Sequence, residues 1–301
     1  VVAEILYDSD NDRARGVRVI DAVTNEEMEF EARVLFLCAS ALESTRLLLN
    51  SRPDRFPDGL GNSSGELGHN LMDHTMQSGA TGLVPGLDDR NAYGNRPNGL
   101  YVPRFRNVWD EHPDFLRGYG FQGSASRAGW SRGFGMPGFG ADFKEALREP
   151  GPWVMRFNGF GECLPRHSNY VEIDPEEKDK WGVPVLRIHC EWSDNERTML
   201  RDMSVAAGEM LEAAGCTDIT PFSNDSPPGL TIHEMGTARM GRDPDTSVLN
   251  GYNQCHDVPN LFVTDGAAMA SSACQNPSLT YMALTARACA YAVEQLQRRG
   301  L

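Results

Sequence analysis

The sequence predicts a mixed architecture, α/β at its two ends and α+β between them, with an antiparallel sheet in the middle that carries helices on one side. Three observations predict it. Near the start, an apolar strand ("VLFLCAS") runs through small residues into a helix ("ALESTRLLLNS"). Near the end the same order returns, with "NLFVTDG" as strand, "AAMASSACQ" as turn and "NPSLTYMALTARACAYAVEQLQRRG" as helix. Between them, short strand-like pieces alternate with polar turns and one long amphipathic segment, the texture of antiparallel pairing rather than of βαβ units. The changes of texture divide the chain into residues 1–75, 76–225 and 226–301.

Taken in order, "VVAEILYD", "GVRVIDA" and "EMEFEARVLFLCAS" read as three successive strands. The first begins at Val1, an opening in mid-sheet that predicts a missing N-terminal portion. From Val34 to Cys38 the third strand is apolar without alternation, as a strand buried on both faces must be. Leu42, Leu47, Leu48 and Leu49 then give a mostly helical apolar face, which Pro53 stops. Residues 52–73 are rich in Gly, Asn and Ser and predict a long ordered loop of the kind that carries function. In the middle, "GLYVPRF", "WVMRFNGFGECL", "NYVEID" and "PVLRIHCEW" read as strands, with Arg156, Asn158 and Phe160 on one face of the second. "DNERTMLRDMSVAAGEMLEAAG" reads as a helix ending at Gly215. In the last third the strand "NLFVTDG" delivers Asp265 and Gly266 to a sheet edge, and Pro277 falls in the first turn of the closing helix.

Composition excludes several classes. The chain of 301 residues is long enough for a sizeable core, and 42 acids against 28 bases give a net charge of -14 without any Lys/Arg block, so the footprint of a nucleic-acid binder is missing. No apolar run is long enough to span a bilayer, and the first residues lack a signal-peptide layout. Any export signal belongs to the expected missing segment, which leaves the compartment open. The seven cysteines are scattered without a CxxC pair and read mostly as buried thiols. The seven histidines show no HxxxH or HExxH spacing, so no metal site is predicted.

"GFGMPGFG" contains a formal GxGxxG at Gly133, Gly135 and Gly138. A dinucleotide-binding turn needs a buried parallel strand before it and a helix after it. Here "SASRAGWSR" precedes and Pro137 interrupts, which favours a lid over a pocket instead.

The residues that could carry chemistry lie in the last third. His233 sits in "TIHEMGTARMG" among small residues. Asp265 could accept hydrogen bonds from ligand hydroxyls, and Gly266 lets a backbone approach closely. Asn276 precedes a helix whose free N–H groups suit an electron-rich ligand atom. Each has a bland alternative: a lone loop histidine with a structural partner, an aspartate that caps a turn, an asparagine that caps a helix.

Resemblance weighs between these readings. "HEMGTARMGRDPDTSVLN" followed by "VPNLFVTDGAAMASSACQNPSLTYMALTARA" resembles the closing segment of the glucose-methanol-choline (GMC) family of FAD-dependent oxidoreductases. "LGHNLMDH" is similar to the family's G-x-N-L-x-D-H stretch, and "SALESTRLLLNS" approximates its second signature, departing at Thr45, where proline is usual, and at Arg52, where glycine is usual. The matches cover about residues 1–75 and 226–301, and the "HEMGTARMG" and "NPSLT" forms look most like the sugar-oxidising branch, near pyranose 2-oxidase and the glucoside and gluconate dehydrogenases.

The resemblance implies the C-terminal part of a GMC-type FAD-binding domain (1–75 and 226–301), a substrate domain (76–225), and a chain lacking the N-terminal GxGxxG segment, which is either cut away or supplied by a partner chain. It implies FAD as cofactor and a sugar or glycoside as substrate. His233 becomes the general base, Asn276 its partner across the substrate hydroxyl, and Asp265, Gly266, Asn276, Pro277 and Ser278 the contacts to the cofactor. The glycines beside His233 would let its loop press on a flat ring system. The electron acceptor stays open. So do a non-catalytic binding subunit of GMC-like shape, one half of a split enzyme, and a lyase that uses flavin without net oxidation.

Overall fold

A computed structural model describes residues 1–91, 99–224 and 226–298. Arg299 and Gly300, assigned to the closing helix from sequence, lie outside the described residues. In chain order the elements are β1 (Val2–Asp8), β2 (Arg13–Ile20), β3 (Glu27–Glu31), β4 (Leu35–Leu37), α1 (Ala41–Asn50), β5 (His74–Thr75), β6 (Ser78–Leu83), β7 (Gly99–Val102), β8 (Tyr119–Arg127), α2 (Gly140–Arg148), β9 (Trp153–Glu162), β10 (Tyr170–Lys178), β11 (Pro184–His189), α3 (Asp194–Ala213), β12 (Thr217–Ser223), β13 (Leu261–Val263) and α4 (Ser278–Gln297). Short 3-10 helices occur at Trp130–Gly135, Pro244–Thr246 and Gly266–Ala268. The chain forms two compact units: the first takes Val1–His74, Cys163–Glu191 and the chain from Pro227 onward, the second Thr75–Glu162 and Trp192–Ser226.

In the first unit β1, β2 and β3 form an antiparallel meander, while β4 pairs in parallel with β13, Leu35 opposite Leu261 and Leu37 opposite Val263. The single long strand expected over residues 27–40 is thus two strands in two sheets. The cause is Asn260, whose side-chain amide donates to the carbonyls of Ala14 (2.7 Å) and Arg33 (2.9 Å) while its oxygen accepts from the Ala14 amide (2.9 Å). That fully buried side chain occupies the backbone groups that would otherwise continue the β2–β3 ladder. β4 keeps the apolar character expected of it, with Phe36 stacked on Phe262 at 4.8 Å. α1 buries Leu47, Leu48 and Leu49 in a core that includes Ile5, Leu261 and Val263. β10 and β11 make a separate two-stranded hairpin, tied to α1 through Arg46, which donates to the carbonyls of Val183 and Pro184 and pairs with Asp179 at 2.7 Å.

In the second unit the antiparallel sheet runs in the order β12–β6–β9–β8–β7. α3 lies on it, burying Met199, Leu200, Met203, Ala206, Ala207 and Leu211. Its start is a capping box of Ser193 and Glu196, and Gly215 beyond its end takes φ +83, the left-handed conformation that releases the chain from a helix. Gly159 and Gly161 face this helix: a Cβ on either would come within 2.6 Å of a methionine sulfur of α3, so the alternating glycines of β9 set how closely the helix sits. The strand before "GFGMPGFG" is β8, antiparallel to both neighbours, so that GxGxxG lacks the parallel strand its nucleotide-binding form requires.

Candidate functional site

The stretch around His233 lies wholly within the first unit, as a strip hydrogen-bonded on both flanks. On one side Met235 exchanges both backbone bonds with Met72 (2.9 Å each), and Thr237 accepts from the Gly68 amide at 2.7 Å. On the other, the amides of Gly236, Ala238 and Met240 donate to the carbonyls of Gly266 (3.1 Å), Ala267 (2.9 Å) and Ala268 (3.0 Å). The "HEMGTARMG" segment therefore sits between "LGHNLMDH" and the turn that follows β13.

Glycine is what permits this. Gly236 has φ +98, and a Cβ there would lie 2.2 Å from the Asn70 carbonyl oxygen. A Cβ on Gly266 would lie 2.3 Å from the Glu234 carbonyl oxygen. The close approaches of these two glycines are to neighbouring protein backbone. A buried side-chain bond adds to the seam: Thr45 of α1, where the family pattern has proline, donates its hydroxyl to Thr237 at 2.7 Å.

His233 itself is half-buried, and its Nδ1 is buried without a hydrogen-bond partner. Its ring meets that of His74 edge-to-face, centroids 5.0 Å apart and planes at 86°. His74 is 1% exposed. The chain just before His233 is held by Asp73, a buried carboxylate that accepts from the amides of Gly229 (2.9 Å) and Thr231 (3.4 Å) and from the Thr231 hydroxyl. Between this clamp and His233, Ile232 has φ +55 with its side chain exposed. A β-branched residue in the left-handed region is a conformational outlier, and such strain persists only where surrounding bonds enforce it.

Asp265 follows β13 as the sequence predicts. Its carboxylate caps the Gly266–Ala268 turn by accepting from the Ala267 amide at 3.0 Å, and it also accepts the Ser44 hydroxyl at 2.5 Å. The bland reading of a turn cap therefore holds for one of its oxygens. Burial pushes its pKa above the usual carboxylate value, against the lowering influence of the Ser44 hydroxyl and the nearby backbone amides. Ser40, beside it at the start of α1, has φ +78 and ψ 160, a second strained position.

The α4 end differs in detail from expectation. Pro277 occupies the cap position rather than the first turn, with the Tyr281 amide donating to its carbonyl at 3.1 Å. Proline's fixed φ fits both positions, so the sequence pattern cannot separate them. Asn276 lies one residue before the cap and is exposed, as is Ser278, and the cap residue makes no side-chain bond to the helix start. The Tyr281 hydroxyl, one turn in, is buried without a hydrogen-bond partner. Burial raises its pKa, and the negative charges of Asp265, Glu234 and Asp73 push the same way, so it is a protonated donor at neutral pH.

The structure thus brings His233, Gly266 and the start of the turn capped by Asp265 to adjacent strips of one sheet-like seam, with the exposed Asn276 and Ser278 on either side of the buried Pro277 at the start of α4. Sequence reasoning assigned no role to His74, Asp73, Thr231 or Tyr281. The first two were visible as the last residues of "LGHNLMDH", but nothing local pairs them with a loop 157 residues further on. Among the described residues there is no cluster of three or more His, Cys, Asp or Glu arranged for a metal ion, and no helix long and apolar enough to cross a membrane.

Comparison with known proteins places this seam in a family. Residues 1–76 match the N-terminal model of the GMC oxidoreductases and residues 165–285 their C-terminal model. The first match overturns the expectation that the family's N-terminal segment is lacking, since the opening residues are themselves part of it. The chain is 35% identical to 2-methyl-1,2-propanediol dehydrogenase of Mycolicibacterium austroafricanum, over 92% of this chain and 51% of that protein. It is 28% identical to the fructose dehydrogenase large subunit of Gluconobacter japonicus, over 85% of this chain and 46% of that protein. The chain spans about half the length of these curated relatives. Its fold is similar to that of a formate oxidase from Aspergillus oryzae, with a TM-score of 0.64, 14% identity, and coverage of 99% of this chain and 60% of the other. With two matching family models that together cover well over half of its residues, the chain belongs to the GMC oxidoreductase family.

Proposed function

We propose that the protein is a flavin-dependent oxidoreductase acting on CH–OH groups of a sugar or glycoside, with His233 as the base that takes the hydroxyl proton. The observation that carries this reading is the position of His233: a half-buried imidazole on a strip bonded along both flanks, with a strained residue before it. Such a ring is held in place at little entropic cost during reaction, and imidazole titrates near neutrality.

The residues present fit an FAD. The first turn of α4 offers backbone N–H groups that its cap residue, a proline, does not engage, as an electron-rich ring edge requires, and the buried Tyr281 hydroxyl is a donor in want of an acceptor. Asn276, Pro277 and Ser278 would hold the ring at that helix start, with Asp265 and Gly266 toward the rest of the cofactor. When bound, FAD supplies a two-electron acceptor for the hydride that leaves the carbinol carbon. His233 accepts the hydroxyl proton, and the electron pair of the broken O–H bond becomes the carbonyl. Asn276, which does not titrate, orients the same oxygen by hydrogen bonding.

A second substrate reading has its own support, because the relative at 35% identity is named for a small diol. The test is turnover of the flavin-loaded protein on sugars, glycosides and 2-methyl-1,2-propanediol with an artificial electron acceptor. His233→Ala is expected to lower kcat by roughly 100-fold or more on whichever class reacts. Undiminished turnover in that variant removes the role of His233, and a protein that takes up no flavin removes the cofactor.

A further inference from the structure

We infer that Asp73 and His74 are positioning residues for His233, acting as a two-point clamp that fixes where the imidazole sits and which way its plane faces. This rests on the reading of His233 as the reacting base. The first point of the clamp is Asp73. Its buried carboxylate takes two backbone amides and one hydroxyl, all from residues 229–231, and so fastens the chain immediately ahead of His233. The Thr231 hydroxyl in turn accepts from the His74 amide at 3.4 Å, which ties the two strips together at the level of the histidine pair.

The second point is His74. Placing an imidazole takes a fixed backbone and a restriction on the rotation of its ring. The Asp73 bonds fix the backbone; the buried ring of His74, edge-to-face at 5.0 Å, restricts the rotation of the His233 ring. Behind His233 the Met72–Met235 bridge holds the strip from the other end. Ile232 lies between the Asp73 clamp and this bridge and, although β-branched and exposed, stands at φ +55. That strain is sustained by the bonds of Asp73 on one side and the Met72–Met235 bridge on the other.

The roles separate by substitution. His74→Ala removes the packing ring, His74→Phe keeps it without nitrogen, and Ile232→Gly keeps both anchors but relaxes the residue between them. In the flavin-loaded protein, His74→Ala is expected to lower kcat by about 10-fold to 100-fold with KM little changed, the cost of a misplaced reacting group. His74→Phe should recover most of that loss. Ile232→Gly should lower kcat while leaving Tm unchanged or raised, a combination that loss of structure does not give.

An independent readout does not use activity. With histidines isotopically labelled, the ring-proton resonances of His233, assigned by their loss in His233→Gln, should move from their wild-type positions in His74→Ala and return toward them in His74→Phe, with FAD bound or absent. Resonances unmoved in His74→Ala overturn the inference, as does Ile232→Gly with full wild-type kcat. Should His233→Ala retain turnover while these resonances still shift, the base assignment fails and the packing stands, so the two failures are told apart.

Discussion

In the second unit, Asp202 has its partners in place: Arg106 donates to both of its oxygens at 2.8 and 3.1 Å, and the fully buried Tyr119 donates its hydroxyl. Burial raises the Tyr119 pKa, its bond to Asp202 adds to the rise, and the phenol stays a donor with an acceptor at hand. In the first unit, Tyr281 is half-buried with its hydroxyl inside and held protonated, yet that hydroxyl has no partner, and neither has Nδ1 of His233. The backbones differ in the same sense. Asp202 and Tyr119 of that network stand on regular α3 and β8, whereas the strip of His233 is irregular, pressed against other backbone through glycines and strained at Ile232. A polar network that closes on itself serves stability; one left open, on a backbone held out of its relaxed form, is available for a ligand.

The largest expected effect that tests this contrast is Gly236→Ala. The new methyl group would meet the Asn70 oxygen on a residue whose φ also disfavours any side chain, so a loss of about 3 kcal/mol or more in urea-unfolding stability is expected. Turnover should fall with it. Wild-type stability would mean that the two strips do not approach as closely as they do here.

Next comes Asp202→Ala. This strands a half-buried guanidinium and a buried phenol, for a cost of about 2 kcal/mol by urea unfolding, while Tyr119→Phe removes a hydroxyl that donates to Asp202 and accepts from Arg106 and costs about 1 kcal/mol. Because this network closes on itself, activity per folded molecule should stay unchanged in both. A change in kcat without a change in stability would break the contrast. Thr45→Val in the first unit is smaller or equal, about 1 kcal/mol, since Thr237 keeps the Ala41 carbonyl as acceptor after the Thr45 hydroxyl is gone.

These positions also mark where the sequence was legible. α3 was readable because its amphipathic spacing and its terminal glycine agree, and each is a local signal. α1 was readable from its leucines. The break between β3 and β4 was not, because it is made by Asn260, far along the chain. For the site, the motifs that hold His233, Asp265 and Asn276 were visible in the residue order, while the contacts that give His233 its setting were not. Asp73 to Thr231 and His74 to His233 are tertiary pairings, and neither periodicity nor propensity encodes which loop meets which. The same holds for Thr45: as a departure from a pattern it was visible, but its partner Thr237 was not.

The smallest effect is one of pH, and it sharpens the comparison most. Asp265 in the first unit and Glu162 in the second are both carboxylates whose pKa burial raises, Glu162 in spite of Arg104 and Arg117 at 3.5 and 3.6 Å. A carboxylate raised on folding binds more protons in the native state than in the unfolded one, between its unfolded pKa near ~4 and its higher folded value. In that window stability falls as pH rises, and above it the cost stays constant. Asp265→Asn and Glu162→Gln should therefore each flatten the dependence of the urea midpoint on pH across that window. The two units should part when FAD is added. A cofactor lying against the turn capped by Asp265 changes the solvation of that carboxylate, so the portion of the slope removed by Asp265→Asn should differ between the FAD-bound and FAD-free protein. The portion removed by Glu162→Gln should be the same in both. An Asp265 contribution indifferent to FAD would place that carboxylate with Glu162, as a structural group and no part of the cofactor's surroundings.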